Sequence, residues 1–311
     1  MANDSQSIYI LEICDPNGTR RGQIDDFWSL SYRKEVNAPG WVRFSCDGNH
    51  PKLALLQEWS QINVRRRDPI HGIDWYEDFT GFYRKYTYHT PDVDYFESEM
   101  PGPMSMLNWR VNAYPAAQAN KSQFTSKPVE TIGKTLVTNN FTATATTGNG
   151  RVRNGALAGP FTLVVATNQA RGTSIDRQNS GVRILKELSE LGQTYGGDWG
   201  MTRTGPAQWT LEYFPGQLGA DVHTTVVFTT DRSNMVNPTY TWDAIEEKTV
   251  AIVAGPDQKT KRQFRVRTRA GRWSTTNDIE LWVDAKNEQT SAGQDAAGDK
   301  ALRDNRVKQD F

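Results

Sequence analysis

The histidines are the residues of this sequence whose chemistry could most readily bind a metal ion or transfer a proton. There are four, and they lie far apart along the chain. Two imidazoles share one metal ion when a spacing such as HxH or HExxH brings them together, and neither spacing occurs. We therefore expect exposed or turn histidines, no metal site and no cofactor. The four are His50, His71, His89 and His223.

Paired carboxylates offer a second kind of chemistry, because glycoside hydrolysis uses two carboxyl groups about 5–9.5 Å apart. Asp25-Asp26 and Glu246-Glu247 are adjacent pairs, a pattern more typical of solvated surface acids. The GxSxG elbow of hydrolases and the glycine-rich phosphate-binding motifs do not occur. The sequence therefore predicts no catalytic residue and no enzyme.

The cysteines, Cys14 and Cys46, are too few for a disulfide scaffold and have no CxxC or Cys/His ligand spacing. Cys46 falls on the apolar side of a predicted strand, which favours a buried thiol over a reactive one. The sequence leaves open whether the two cysteines pair with each other.

Aromatic and basic residues offer binding chemistry instead. Exposed indoles, for which we consider Trp59, Trp75, Trp109 and Trp273 among the ten tryptophans, could stack on sugar rings. Large aromatic side chains also fill cores and anchor protein interfaces, and we favour the interface.

Two basic runs resemble DNA contacts at first sight. One is Arg65-Arg66-Arg67, and the other is Lys259-Thr260-Lys261-Arg262, followed by arginines at alternate positions, Arg265, Arg267 and Arg269. Because these residues alternate on predicted strands, we expect a charged sheet face, or pairing with acids of a partner.

The charges of the chain balance, with 36 basic and 36 acidic residues. A balanced chain lacks the net positive field that accompanies nucleic-acid or anionic-membrane binding, and little repulsion keeps its copies apart. The first residues carry no secretory signal pattern, and no run approaches the ~20 apolar residues that span a bilayer. We expect protein partners and no membrane insertion.

These residues must be positioned mainly by strands. Alternating residues at 28–32 and 42–46, joined by the turn 37–40, predict a hairpin with one wet face. Further strands are predicted at 8–13, 61–65 and 79–83, with a short helix in 51–59. Five strands and a small helix favour a barrel or a curled sheet.

The middle of the chain is predicted to be mainly helical. Apolar spacing predicts helices at 104–111, from Ser126 onward through 137, and from the N-cap Ser180 to Gly192. Glu187 and Glu190 are expected to face away from the apolar side of this last helix. The segment 142–155, rich in Thr, Ala, Gly and Asn, predicts an exposed loop.

The rest again reads as sheet. Strands are predicted at 199–203, 208–214, 224–230, 240–243, 248–254 and 262–267. The segment from 286 to 311 is polar, so a helix there is expected to be weak unless a partner covers it.

In order and spacing these features resemble the siphophage minor tail proteins that form the tail-tip or baseplate hub of tailed bacteriophages. The resemblance rests on GQIDDFWSLSY at 22–32, NAPG at 37–40 with Phe44, INVRR at 62–66, FTG at 79–81, the helices at 104–110 and 181–192, VF at 227–228 before SNM at 233–235, KTVAIVAG at 248–255 and the strand at 262–267.

The resemblance implies a mainly β fold with α+β insertions: two antiparallel hub-type β-barrels, three copies of which form a ring of pseudo-sixfold symmetry. It divides the chain into a first barrel (1–104), an inserted helical and loop domain (105–232), a second barrel (233–285) and a polar, partly helical segment (286–311). Related chains usually continue into final strands with an L-G-D element, so we expect the second barrel to be incomplete here. A longer polypeptide, a partner chain or a reduced family member would each explain this.

The function that follows is structural. We expect a homotrimeric hub in the virion, made in the bacterial host cytoplasm, that joins the tail tube or distal tail ring to distal fibres or a plug and contacts the tape-measure protein. It would line the DNA exit channel with a neutral or acidic surface, since a basic lumen would retain DNA. The alternatives are a carbohydrate- or receptor-binding module and a cell-wall hydrolase.

Overall fold

The computed structural model describes residues 8–69, 72–89, 94–112, 123–157, 160–179, 181–220, 241–256, 263–275 and 277–310, which form a mainly β protein. No helix among them is long and apolar enough to cross a bilayer. The predicted strand 224–230 lies outside these ranges.

The first hundred residues form two four-stranded antiparallel sheets that face each other. Their strands are β1 Ile8–Cys14, β2 Arg20–Ile24, β3 Ser29–Arg33, β4 Trp41–Asp47, β5 Gln61–Asp68, β6 Ile73–Phe82, β7 Thr87–His89 and β8 Tyr95–Pro101. The orders are β2-β1-β5-β6 and β3-β4-β8-β7. Leu11 and Ile62 of one sheet share an apolar core with Phe44 and Met100 of the other.

The predicted closed barrel is not present in this part of the chain, because no hydrogen-bonded ladder between described residues joins the two sheets. Alternating residues require only that each strand buries one face, and two facing sheets satisfy this requirement as well as a barrel does. The predicted hairpin is confirmed, with Leu30 opposite Phe44. The predicted helix at 51–59 is a short 3-10 turn, Pro51–Leu55.

Both cysteines are buried free thiols, and Cys46 belongs to this core, so the expectation of a buried Cys46 is confirmed. Burial, with the nearby Glu12 carboxylate, raises the pKa of Cys14 to about 11, and burial likewise raises the pKa of Cys46 to about 11.

We therefore expect neither thiol of the folded protein to react with iodoacetamide at pH 8, where about one thousandth of each would be thiolate even if it were accessible. Intact-mass spectrometry with and without urea checks this. The unfolded chain should take up two carbamidomethyl groups, and alkylation of the folded chain would contradict the prediction.

The middle of the chain combines two helices with a mixed sheet. Its elements are the 3-10 helix Pro103–Trp109, β9 Gln123–Pro128, α1 Val129–Phe141, β10 Thr162–Val165, β11 Ser174–Gln178, α2 Ile184–Tyr195, β12 Asp198–Gly205 and β13 Gln208–Phe214. The sheet order is β10-β13-β12, and β9 pairs with β11. Leu136, Leu188 and Trp199 belong to one core. On α1, a Cβ at Gly133 would lie 2.2 Å from the Trp199 ring, so only glycine allows this close approach.

Three predictions in the middle region need correction. Ser126 lies in β9, and helix α1 begins after Pro128 because a residue that precedes proline favours extended backbone. Helix α2 continues through Gly192 and ends before Gly196, whose φ is +86°. Helix α2 also begins later than predicted, at Ile184 with Arg183 in the N-cap position, and the predicted N-cap Ser180 lies outside the described residues.

The loop 142–155 is also less exposed than predicted. Arg151 is buried, and its guanidinium donates to Asn140 Oδ1 at 2.8 Å and to the Val111 carbonyl at 2.8 Å. Arg151 therefore helps to hold this low-complexity segment in place, together with backbone hydrogen bonds such as that from the Gly155 amide to the Ala145 carbonyl, because a buried guanidinium has to satisfy its donors.

The last region has a small sheet with a helix against it. Its elements are β14 Thr241–Asp243, β15 Val250–Ala254, β16 Phe264–Thr268, β17 Glu280–Asp284, α3 Ser291–Asp304 and β18 Lys308–Asp310. The sheet order is β16-β15-β17, with β15 antiparallel to β16 and parallel to β17. The predicted antiparallel barrel is therefore, among the described residues, an open mixed sheet. Strand β18 pairs with β14.

Candidate assembly surface

The sheet β16-β15-β17 has two chemically different faces. Successive side chains of a strand point to opposite faces. In β16 this alternation places Phe264 and Val266 on one face and Arg265 and Arg267 on the other. Helix α3 covers the arginine side, so the opposite side decides what else this region contacts.

Helix α3 packs closely on its side of the sheet. Leu302 joins Ala251 and Val253 in a small core. A Cβ on Gly298 would lie 2.7 Å from both Val253 Cγ2 and Arg267 Cγ, so glycine permits the close approach of helix to sheet. The polar C-terminal segment is thus covered by the chain's own sheet, whereas the sequence had predicted a weak helix that needs a partner.

Two arginine-aspartate pairs hold the helix in register. Arg265 donates to Asp295 at 2.5 and 2.6 Å, and Arg267 donates to Asp299 at 2.8 and 3.0 Å. The two arginines are two strand residues apart, and the two aspartates are four helix residues apart. Both spacings are about 6–6.6 Å, so each arginine lies opposite one aspartate. The hydrogen bond from Arg265 lowers the pKa of the Asp295 carboxyl. These arginines pair with acids of the same chain, and the expected pairing with a partner's acids is wrong for them.

The opposite side of the sheet, which we call the open face, is apolar and exposed. It consists of Ile252, Phe264, Val266 and Trp282. Val266 and Trp282 flank Ile252 in register across the three strands. Phe264, Val266 and Trp282 are 55%, 62% and 56% exposed, and the rings of Phe264 and Trp282 lie 5.6 Å apart. A contiguous exposed apolar patch of this kind is typical of a surface that contacts another protein.

Polar groups border the open face. Glu280 and Asp284 stand two positions either side of Trp282 in β17, and both are exposed. Among the described strands, β16 and β17 are the edges of this sheet. An apolar centre with a polar rim is the usual composition of a protein interface, so the arrangement can bind a complementary protein surface.

The two histidines within the described ranges do not gather into a site. His50 Nε2 lies 2.9 Å from Asp26 Oδ1, and its Nδ1 accepts from the Lys52 amide, which caps the 3-10 turn. His89 is exposed beside the Tyr95 ring, while His71 and His223 lie outside the described residues. Within the described ranges, no group of three His, Cys, Asp or Glu side chains could hold a metal ion.

The two acidic pairs differ in their surroundings. Asp25 and Asp26 are both exposed. Glu246 is exposed, whereas Glu247 is buried and accepts from Arg272 at 2.8 Å. That hydrogen bond lowers the pKa of the Glu247 carboxyl, which keeps it ionised and unsuited to donate a proton.

Most of the described aromatic and basic candidates contact other residues of the same chain. Trp59 and Trp109 pack edge to face at 4.8 Å, and among the described rings no contact joins Trp75 or Trp273 to them. Arg67 lies over Trp75 at 4.9 Å. In the same run, Arg66 stacks on Tyr9 and Arg65 donates to a backbone carbonyl. The run Lys259 to Arg262 lies outside the described residues.

Sequence reasoning missed the open face, although its signal was present. In Phe264-Arg265-Val266-Arg267 the apolar residues alternate with arginines. An apolar alternate face would normally be assigned to a core. The sequence alone does not show that α3 covers the arginine side of the sheet and leaves the apolar side exposed.

Comparison with known proteins adds both a family and a fold. A family model described as Siphovirus ReqiPepy6 Gp37-like protein matches residues 10–309. A comparison with curated protein sequences found no match.

Three solved structures share the fold. A prophage MuSo2 43 kDa tail protein from Shewanella oneidensis has a TM-score of 0.55 at 11% identity, covering 96% of this chain and 78% of that one. Prophage tail protein gp18 from Listeria monocytogenes has a TM-score of 0.53 at 10% identity, covering 93% and 76%. A tail protein from Neisseria meningitidis has a TM-score of 0.53 at 11% identity, covering 93% and 75%.

Proposed function

Because this chain belongs to the Siphovirus ReqiPepy6 Gp37-like family of siphophage tail proteins, as its sequence resemblance predicted, we propose that it is a non-enzymatic structural component of the tail tip or baseplate. Three copies form a hub in the virion after synthesis in the host cytoplasm. The hub joins the tail tube or distal tail ring to distal fibres or a plug, contacts the tape-measure protein and lines the DNA exit channel.

The observation that carries this proposal is the open face. Its three exposed side chains leave water only if another surface covers them, and each square ångström of apolar surface so covered contributes about 25 cal/mol. Balanced charge adds little repulsion between copies. In a threefold ring the contact is heterologous, so the open face of one copy meets a different surface of the next copy.

The fold supports the same role. Likeness to the prophage tail proteins extends over more than nine tenths of this chain, so the hub architecture of that resemblance is our template. We retain the division at 104, 232 and 285 as a proposal. Separate cores in the first hundred residues, in the middle region and under α3 support the divisions at 104 and 232, and Phe82 and Trp209 share a smaller core across the first of them. Leu302 shares its core with Ala251 and Val253, so the last segment packs on the sheet before it.

The channel proposal gains support from charge. Arg265 and Arg267 are each neutralised by an aspartate of α3. A surface near them therefore carries less free positive charge than the sequence suggests, and passing DNA would be held less strongly.

The test is the mass and symmetry of the assembly. Light scattering of the purified chain should give about three times the 35.1 kDa chain mass, and electron microscopy of intact particles should show a threefold ring at the tail tip. A monomer at every concentration together with particles lacking a threefold ring would overturn the proposal.

A further inference from the structure

A second surface feature, in the first sheet region, is an aromatic groove of about 460 Å³. One wall is the 3-10 turn and the residues after it, and the other is the link from β6 to β7. Backbone hydrogen bonds join the walls, from the Trp59 amide to the Tyr83 carbonyl at 2.9 Å and from the Tyr83 amide to the Ser60 carbonyl at 2.8 Å. The groove is lined by Leu53, Leu56, Gln57, Glu58, Tyr83, Arg84, Tyr86, Tyr88 and Phe96.

The aromatic rings of the groove are held in place. Tyr86 is 57% exposed and lies nearly parallel to Tyr83 and to Phe96, with ring centroids 6.0 and 5.9 Å away. Tyr88 packs edge-on against Phe96 at 5.4 Å and donates its hydroxyl to the Gly48 carbonyl at 3.1 Å. A ring supported in this way offers a flat apolar surface without having to lose motion on binding.

The polar side of the groove is fixed as well. Arg84 lies over the Trp59 ring, 3.9 Å from its centroid, and pairs with Glu58 at 3.3 Å. The Gln57 side-chain amide and the hydroxyls of Tyr83 and Tyr86 make no hydrogen bond to another described residue. The groove thus presents an amide, a carboxylate, a guanidinium and two phenols, with the two charges cancelling.

We propose that this groove binds a neutral oligosaccharide. A pyranose has an apolar face of C–H groups and an edge of hydroxyls, which match a supported aromatic ring beside planar, bidentate polar groups. Because the charges of Glu58 and Arg84 cancel, the groove has no net charge to attract an acidic or a basic ligand. A proline-rich peptide would use the rings, but it has few donors for the carboxylate and the amide. The proposed hub role does not require this site.

Isothermal titration calorimetry of the full-length protein tests the proposal, with maltotriose, cellotriose, lactose and tri-N-acetylchitotriose as ligands. We expect at least one of them to bind at one site per chain. Tyr86→Ala should raise its Kd at least about tenfold, whereas Tyr86→Phe, which keeps the ring, should change the Kd by less than about threefold. Trp273→Ala, an exposed aromatic outside the groove, should bind as the wild type does.

The proposal is overturned if none of the four saccharides binds, or if Tyr86→Ala binds unchanged. It is overturned equally if only an acidic saccharide such as sialyllactose, or only a proline-rich decapeptide, binds. Gln57→Ala, an exposed position, provides a second weakened variant should Tyr86→Ala fail to fold by circular dichroism. Trimer formation is measured separately, so failure here leaves the hub proposal standing.

Discussion

Val266→Glu combined with Trp282→Glu should convert the proposed trimer into monomers. The two residues flank Ile252 on the open face, and a carboxylate placed in an apolar contact loses its hydration without gaining a partner. Even a cost of ~3 kcal/mol per contact weakens association more than a hundredfold, and a closed threefold ring has three such contacts. Light scattering across a concentration series gives the mass directly.

The matched control is Trp28→Glu. Trp28 is 52% exposed and stacks on Tyr95 in the first sheet region, so this substitution repeats the Trp282→Glu half of the double variant at a similarly exposed place. We expect this control to remain a trimer. The double variant should keep the wild-type circular dichroism spectrum, because both replaced side chains are already exposed. A double variant that still forms trimers would exclude the open face as the subunit contact.

Local patterns predicted the strands well where one face is buried. The strand at 208–214 occurs with the predicted bounds, and the predicted 28–46 hairpin is present, with Leu30 opposite Phe44. Both follow from period-two alternation, which each strand carries by itself. The parallel pairing of β15 with β17 was not predictable in this way, since Glu280–Asp284 alternates weakly and its partner lies thirty residues away.

Long-range polar contacts were predicted less well than the strands. Glu187 was expected to face away from the core because glutamate on an amphipathic helix usually meets water. The structure buries it against Arg177, a residue that no sequence pattern distinguished. Buried charges need partners that the fold supplies from distant segments, so such contacts follow from tertiary packing and not from local spacing. The open face is the opposite case. Its apolar pattern is visible in the local sequence, but whether that side is buried or exposed depends on which side of the sheet α3 covers.

Arg177 is the centre of a buried charge cluster. Its guanidinium donates to Glu187 at 2.7 and 3.0 Å, lies 3.2 Å from Glu190 and donates to Glu288. The Tyr195 hydroxyl also donates to Glu288. Because Arg177 is in β11 and Glu288 precedes α3, the cluster attaches the C-terminal region to the middle of the molecule.

Arg177→Met should lower the free energy of unfolding by about 3–5 kcal/mol at pH 7, since it leaves Glu187 and Glu288 buried without a counter-charge. Urea denaturation followed by tryptophan fluorescence measures the change. Arg267→Met is the control, because this half-exposed arginine also pairs with a carboxylate. We expect it to cost at most about 1 kcal/mol. Equal losses in the two variants would contradict a special role for the cluster.

The pH dependence separates lost charge pairing from lost packing. Burial raises the pKa of Glu288 above its ordinary value of 4.5 even with Arg177 present, and removing the arginine should raise it further. A carboxyl whose pKa is raised on folding stabilises the folded state while protonated, and this contribution is lost as the pH rises through the folded-state pKa. The deficit of Arg177→Met should therefore shrink between pH 7 and pH 5. Adding Glu288→Gln should recover part of it at pH 7, whereas a deficit that depends on neither pH nor the glutamine would indicate that Arg177 acts through packing alone.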